Sequence, residues 1–145
     1  MAVIFSKFNS FLKNQMNGSA TVDFNSDSIK VALLTSSFVP VLATQANFSD
    51  LSDEVVGSNY VSGGTLMTGV TLNEAAGVVT FDANDITWLD NATGFTNARY
   101  AVIYKSTGVA ATSTLIAMID FGADKSNVGG DFSIIWNPAG IITWA

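Results

Sequence analysis

Two apolar runs dominate the pattern of the chain, one from Arg99 to Lys105 and one from Thr114 to Phe121, joined by small residues between Ser106 and Ser113. Both alternate with the period of two that belongs to a strand. In the first, Tyr100, Val102 and Tyr104 share one face and Ala101 and Ile103 the other. In the second, Leu115, Ala117, Ile119 and Phe121 oppose Ile116 and Met118. Neither face of either run suits open water, so the pattern predicts a central hairpin covered on both sides by another layer or by a partner chain.

Toward the N-terminus the period changes. From Ile4 onward, Phe5, Phe8, Phe11, Leu12 and Met16 recur at three- and four-residue spacing with Lys7, Asn9, Lys13 and Asn14 between them. This predicts a short amphipathic helix ended by Asn17-Gly18. Its aromatic stripe fits either a helix lying over the sheet or a hydrophobic arm docking on another subunit, and Phe5, Phe8, Phe11 and Leu12 are the interface candidates in the second case.

Residues 29–34 read as a strand. Pro40 then interrupts pairing, and Ser49 followed by Asp50, Leu51, Asp53 and Glu54 predicts one or two helical turns with carboxylates near the positive end, closed by Gly57. Residues 66–72 and 78–82 read as strands joined by a hairpin loop over 73–77, and residues 86–89 as another. Phe132, Ile134 and Trp136 alternate with Asp131, Ser133 and Ile135, which places Trp136 in the core. Asn137-Pro138-Ala139-Gly140 then matches a type I turn before a closing strand over 141–144. The sum is an all-β fold: a single domain over 1–145, with an N-terminal helix or arm over 1–18 and an antiparallel β-sandwich or jelly roll of about eight strands over 27–145.

Composition narrows the function. A chain of 145 residues buries about 68% of its unfolded surface, enough for one core. With 48% hydrophobic and only 12% charged residues, part of the surface is expected to meet a partner. Twelve acidic residues against six basic ones give a net charge of −6, which opposes binding to nucleic acid. Lys7, Asn9 and Lys13 break the first dozen residues before a signal-peptide core can form, and no segment is long enough to span a membrane. A soluble product is expected.

Candidate chemistry is sparse. Histidine and cysteine are absent, which removes the usual general base, the usual partner of a nucleophilic serine, the commonest zinc ligand and any disulfide. The carboxylate pairs Asp82 with Asp85 and Asp120 with Asp124 sit at strand ends, where aspartate caps turns. The loop Asp82-Ala83-Asn84-Asp85 lacks the glycine and glutamate of a calcium-binding EF-hand, and Gly63-Gly64 and Gly129-Gly130 lack the remainder of a phosphate loop. The expectation is no enzyme, no cofactor and no metal. Arg99, the only arginine, either pairs with an acid at an edge or interface or reaches solvent at the strand start.

Several stretches taken in order resemble a family of small virion proteins of tailed double-stranded DNA bacteriophages. They are Lys7-Phe8-Asn9 with Phe11, Asp27 to Leu33, Gly57-Ser58-Asn59-Tyr60 followed by Gly63-Gly64, Thr87-Trp88, Arg99 to Tyr104, and Asp120-Phe121-Gly122. The resemblance implies a capsid decoration, or cement, protein, assembled in the host cytoplasm and located on the virion surface. Its partner would be the major capsid protein, and it would act as a homo-oligomer, with a trimer favoured. A tail or head-fibre component is the structural alternative. A carbohydrate-binding module, with Trp88, Trp136, Trp144 and the tyrosines as a stacking platform, is the alternative from another class.

Overall fold

The backbone of Ser28 to Thr35 alternates so that Ile29, Val31 and Leu33 bury on one side and Ala32 and Leu34 on the other, and it pairs along its whole length with the run from Ala98 to Ser106. In the computed structural model, which describes residues 3–145, these two strands and Leu115–Lys125 form the centre of the fold. Met1 and Ala2, at the start of the expected arm, lie outside the described residues. The described chain contains one short helix, α1 (Asn9–Asn17), and ten strands: β1 (Ile4–Lys7), β2 (Ser28–Thr35), β3 (Thr65–Leu66), β4 (Thr71–Ala75), β5 (Val78–Asp82), β6 (Ile86–Trp88), β7 (Ala98–Ser106), β8 (Leu115–Lys125), β9 (Phe132–Ile134) and β10 (Ile142–Trp144). All pairings are antiparallel.

A five-stranded sheet runs β1-β8-β7-β2-β3, a three-stranded sheet β10-β5-β4, and a two-stranded sheet β6-β9. The larger core cluster lies where Val31, Leu33, Ala101, Ile103, Ile119 and Phe121 of the five-stranded sheet meet the other two sheets, through residues such as Phe81, Trp88 and Ile134. The opposite face of the five-stranded sheet is also dry: Ala32, Leu34, Val102 and Met118 are covered by Phe8, Phe38 and the segment carrying Leu42, Phe48 and Leu51. The expectation of a hairpin covered on both faces is therefore met, within the chain itself.

Register departs from simple alternation at three places, one of them in β8, where the five steps from Asp120 to Lys125 span the two from Tyr100 to Ala98. Ile103 faces Ala117 but Tyr104 faces Leu115, so Ile116 is an extra residue. Leu115 consequently packs with the Phe8 cluster and Ile116 with the larger one, the reverse of the alternation expected for those two positions. At the other end Leu34 faces Tyr100 and Thr35 faces Ala98, leaving Arg99 as the bulged residue.

Other expectations change by the way segments switch partners. The expected helix from Ile4 starts only at Asn9, because Ile4–Lys7 is taken up by the free edge of β8 as a strand. The expected strand over 66–72 divides into β3 and β4, since the chain leaves the five-stranded sheet for the three-stranded one at Gly69, whose φ of +60° suits glycine. The β4–β5 hairpin closes with only Ala76 and Gly77, because pairing continues to Ala75 opposite Val78. The expected helical turns after Ser49 shrink to a single 3-10 turn, Phe48–Asp50. Asp50 still acts at its positive end, accepting the amides of Ala46 and Asn47 at 2.8 and 2.9 Å, and these two bonds hold its carboxyl below the usual range.

A polar strap fastens the following loop to the sheet. The Tyr60 hydroxyl accepts the Leu33 amide at 3.0 Å and donates to Glu54 Oε1 at 2.6 Å, while Glu54 also accepts the Gly63 amide at 2.6 Å. Burial, with the Glu54 carboxylate adding to it, pushes the Tyr60 phenol far above the ordinary tyrosine range.

Candidate functional site

Strand β1 is the outermost strand of the five-stranded sheet, so among the described residues one side of its backbone has no strand to pair with. The Phe8 amide donates to the Ile116 carbonyl at 3.1 Å, and pairing continues as Ser6 opposite Met118 and Ile4 opposite Asp120. By antiparallel alternation, Ile4, Ser6 and Phe8 turn their backbone groups toward β8, whereas Val3, Phe5 and Lys7 turn theirs outward. An apolar strand with an open edge is a template for another strand, and native proteins usually blunt such edges. Here Val3, Ile4 and Phe5 are 62%, 57% and 40% exposed.

A groove of about 750 Å³ runs beneath this edge. Its walls include Val3 just before β1, Phe5 of β1, Phe121 of β8, Ile134 of β9, and Trp136 and Ile141 of the connection to β10. Phe5 stands opposite Ile119, on the face that carries the larger core cluster, so the groove continues that core out to the sheet edge. Two bonds hold Trp136 in its wall: its amide donates to Asp85 Oδ1 at 2.8 Å, and its indole Nε1 donates to the Asn84 carbonyl at 3.1 Å. Phe132 braces the same region, stacked on Trp88 with centroids 5.7 Å apart and edge-on to Phe121 at 5.4 Å. Asp131 and Lys125 also border the groove. Asp131 accepts the Asp90 amide at 2.7 Å, whereas neither Lys125 nor Lys7 makes an ion pair among the described residues.

The interface candidates divide. Phe5 lies on the open edge, and Leu12, 49% exposed, borders a second, smaller apolar hollow with Phe24 and Trp144. Phe8 and Phe11 are internal, each 1% exposed, and they fill different clusters on opposite sides of the five-stranded sheet. Arg99 pairs with Asp120 through Nε to Oδ1 at 2.6 Å and Nη2 to Oδ2 at 3.2 Å. The bulge aims Arg99 at this acid. The guanidinium, with the Gly122 amide at 2.8 Å, holds the Asp120 carboxyl below the usual carboxylate range.

Three of the four carboxylates considered for chemistry have other partners, and Asp124 stands apart from them, exposed near the end of β8. Asp82 accepts the Ala83 amide, Asp85 accepts the Trp136 amide, and Asp120 is bound by Arg99. Among the described residues, no three His, Cys, Asp or Glu side chains converge on one point. Trp88 and Trp136 are internal, which removes two of the rings expected in a stacking platform. No helix among the described residues is long and apolar enough to cross a membrane. The signal that sequence reasoning missed is the strand character of Ile4–Lys7, whose aromatic spacing also satisfies a helix.

Comparison with known proteins adds no relative: no family model matches the chain, and neither a curated protein nor a solved structure matches it.

Proposed function

We propose that this chain is a structural component of a tailed-bacteriophage virion, a decoration protein that binds the outer face of the major capsid shell and clamps neighbouring shell subunits together. The five-stranded sheet against the two smaller sheets is read as a sandwich of the jelly-roll kind, and a homotrimer placed where shell subunits meet is the favoured assembly. The observation that carries the reading is the open apolar edge of β1 above its groove, a surface suited to joining another protein rather than to turning over a substrate. The ordered stretches that resemble small virion proteins supply the biological setting.

A clamp works by adding contact free energy across a junction. Because a shell repeats the same junction many times, a modest gain at each becomes large for the particle. A net charge of −6 disfavours contact with packaged DNA and favours an outward-facing acidic surface.

The test is thermal release of DNA from wild-type particles, particles lacking the protein, and the latter re-decorated with purified protein. Depleted particles are expected to release DNA at lower temperature, and addition of the protein is expected to restore resistance. Identical curves for all three would overturn the clamp; protein found on the tail would move the reading to a tail or head-fibre component.

A further inference from the structure

We infer that the β1 edge accepts an extended segment of another protein as a sixth strand, and that this segment carries apolar side chains flanked by acidic ones. The inference rests on reading the protein as an assembly component, and it names the chemistry of what the edge holds.

The outward backbone groups of Val3, Phe5 and Lys7 form the hydrogen-bonding half of a ladder. An added strand that pairs with them sends alternate side chains to the face shared by these three residues, where Val3 and Phe5 already line the groove. Charge then selects among possible strands. Lys7 lies at one end of β1, opposite Ala117. Strand β8 runs antiparallel to β1 from there, past Asp120 opposite Ile4, and after a break in register carries Lys125 to the groove that Val3 also lines. Two cations without ion pairs therefore flank the apolar stretch, in a protein whose overall charge is strongly negative. The matching strand has the pattern acid-x-apolar-x-apolar-x-acid and spans ~20 Å. Asp131 is the one acid among the groove's lining residues, and it keeps its charge while accepting the Asp90 amide, so the two lysines outnumber it along the edge.

The same charges disfavour a second copy on this edge. Two β1 strands pairing about a two-fold axis through Phe5 place each Lys7 near a Lys125 of the second copy, and like charges at close range oppose association. The occupant is a segment of a different chain, bound through the backbone for affinity and through alternate side chains for selectivity.

The experiment uses full-length protein and two capped synthetic peptides, Asp-Thr-Val-Thr-Val-Thr-Glu and the same core ended by lysines. The acidic peptide should bind about tenfold more tightly or better, and the preference should shrink in high salt. Its binding should slow hydrogen exchange at the Phe5 and Lys7 amides. The variant Lys7→Glu with Lys125→Glu should reverse the preference. Phe5→Pro, which removes an outward N–H and leaves the β8 ladder intact, should weaken both peptides equally. Equal affinities, or no slowing at Phe5 and Lys7, overturn the inference. So does self-association in the ultracentrifuge that Phe5→Pro abolishes, because the edge then belongs to a second copy. If neither peptide binds while the protein still protects depleted particles, the strand-addition inference fails and the clamp stands; peptide binding without particle protection gives the reverse.

Discussion

Asn127 and Phe95 hold each other twice: the Asn127 amide donates to the Phe95 carbonyl at 3.1 Å, and the Phe95 amide donates to Asn127 Oδ1 at 2.8 Å. Asn127 is fully buried, and its Nδ2 reaches the carbonyls of Leu89 at 2.9 Å and Ser58 at 3.3 Å. One carboxamide thus ties three separate loops, with every polar group of its side chain in use. Gly94 makes room for it, since a Cβ there would meet Oδ1 at 2.1 Å.

Asn127→Ala is therefore expected to cost about 2 to 4 kcal/mol, because it strands the Phe95 amide and removes two further bonds. Gly94→Ala should also destabilise by pushing the same carboxamide aside. The double variant should lose less than the sum, as required of residues that share one contact. Urea midpoints of the four proteins measure this; strict additivity would show that the two positions are independent.

Trp136→Ala should cost about 3 to 5 kcal/mol. The ring belongs to the larger core cluster and its indole N–H is bonded to Asn84. A loss below ~1 kcal/mol in denaturant unfolding would mean that the ring contributes little to the core.

Removal of residues 1–16 should abolish cooperative unfolding. Phe8 and Phe11 leave holes in two clusters on opposite faces of the five-stranded sheet, and β8 loses the neighbour that covers its edge. Phe8→Ala alone should cost about 3 to 5 kcal/mol. A truncated protein that keeps a sharp thermal transition would show that the segment is an accessory arm.

Stability should fall in acid. Hydrogen bonds and the Arg99 charge depress Asp120, and backbone or side-chain hydrogen bonds depress Asp50 and Asp23. A carboxyl lowered in the folded state adds stability that is present above its unfolded value of about 3.9 and is lost as pH falls through the folded value. The urea midpoint should thus be steady from pH 7 to 5 and drop below about pH 4. Asp120→Asn should flatten part of that drop. An unchanged pH profile in this variant would show that the Arg99 pair contributes nothing to acid sensitivity.

Local pattern carried much of this protein. Alternation alone placed β2, β7 and β8 as apolar strands because the side-chain period of a strand is set by its own backbone, whatever it pairs with. It also put Trp136 inside, by its phase with Phe132 and Ile134, and the turn at Asn137 is closed by the Gly140 amide donating to the Asn137 carbonyl at 2.8 Å. Only the tertiary structure decided the partners. Ile4–Lys7 has residues spaced for a helix and became a strand because the edge of β8 offers it a ladder, a contact between positions distant in sequence. The bulges at Arg99 and Ile116 likewise arise from the fit between neighbouring strands, and one of them turns the only arginine onto Asp120. The groove follows from the same cause. Its apolar half was visible in Phe5, but the two lysines that flank it come together only because β8 runs antiparallel to β1 from Lys7 and, after a break in register, carries Lys125 to the groove that Val3 also lines.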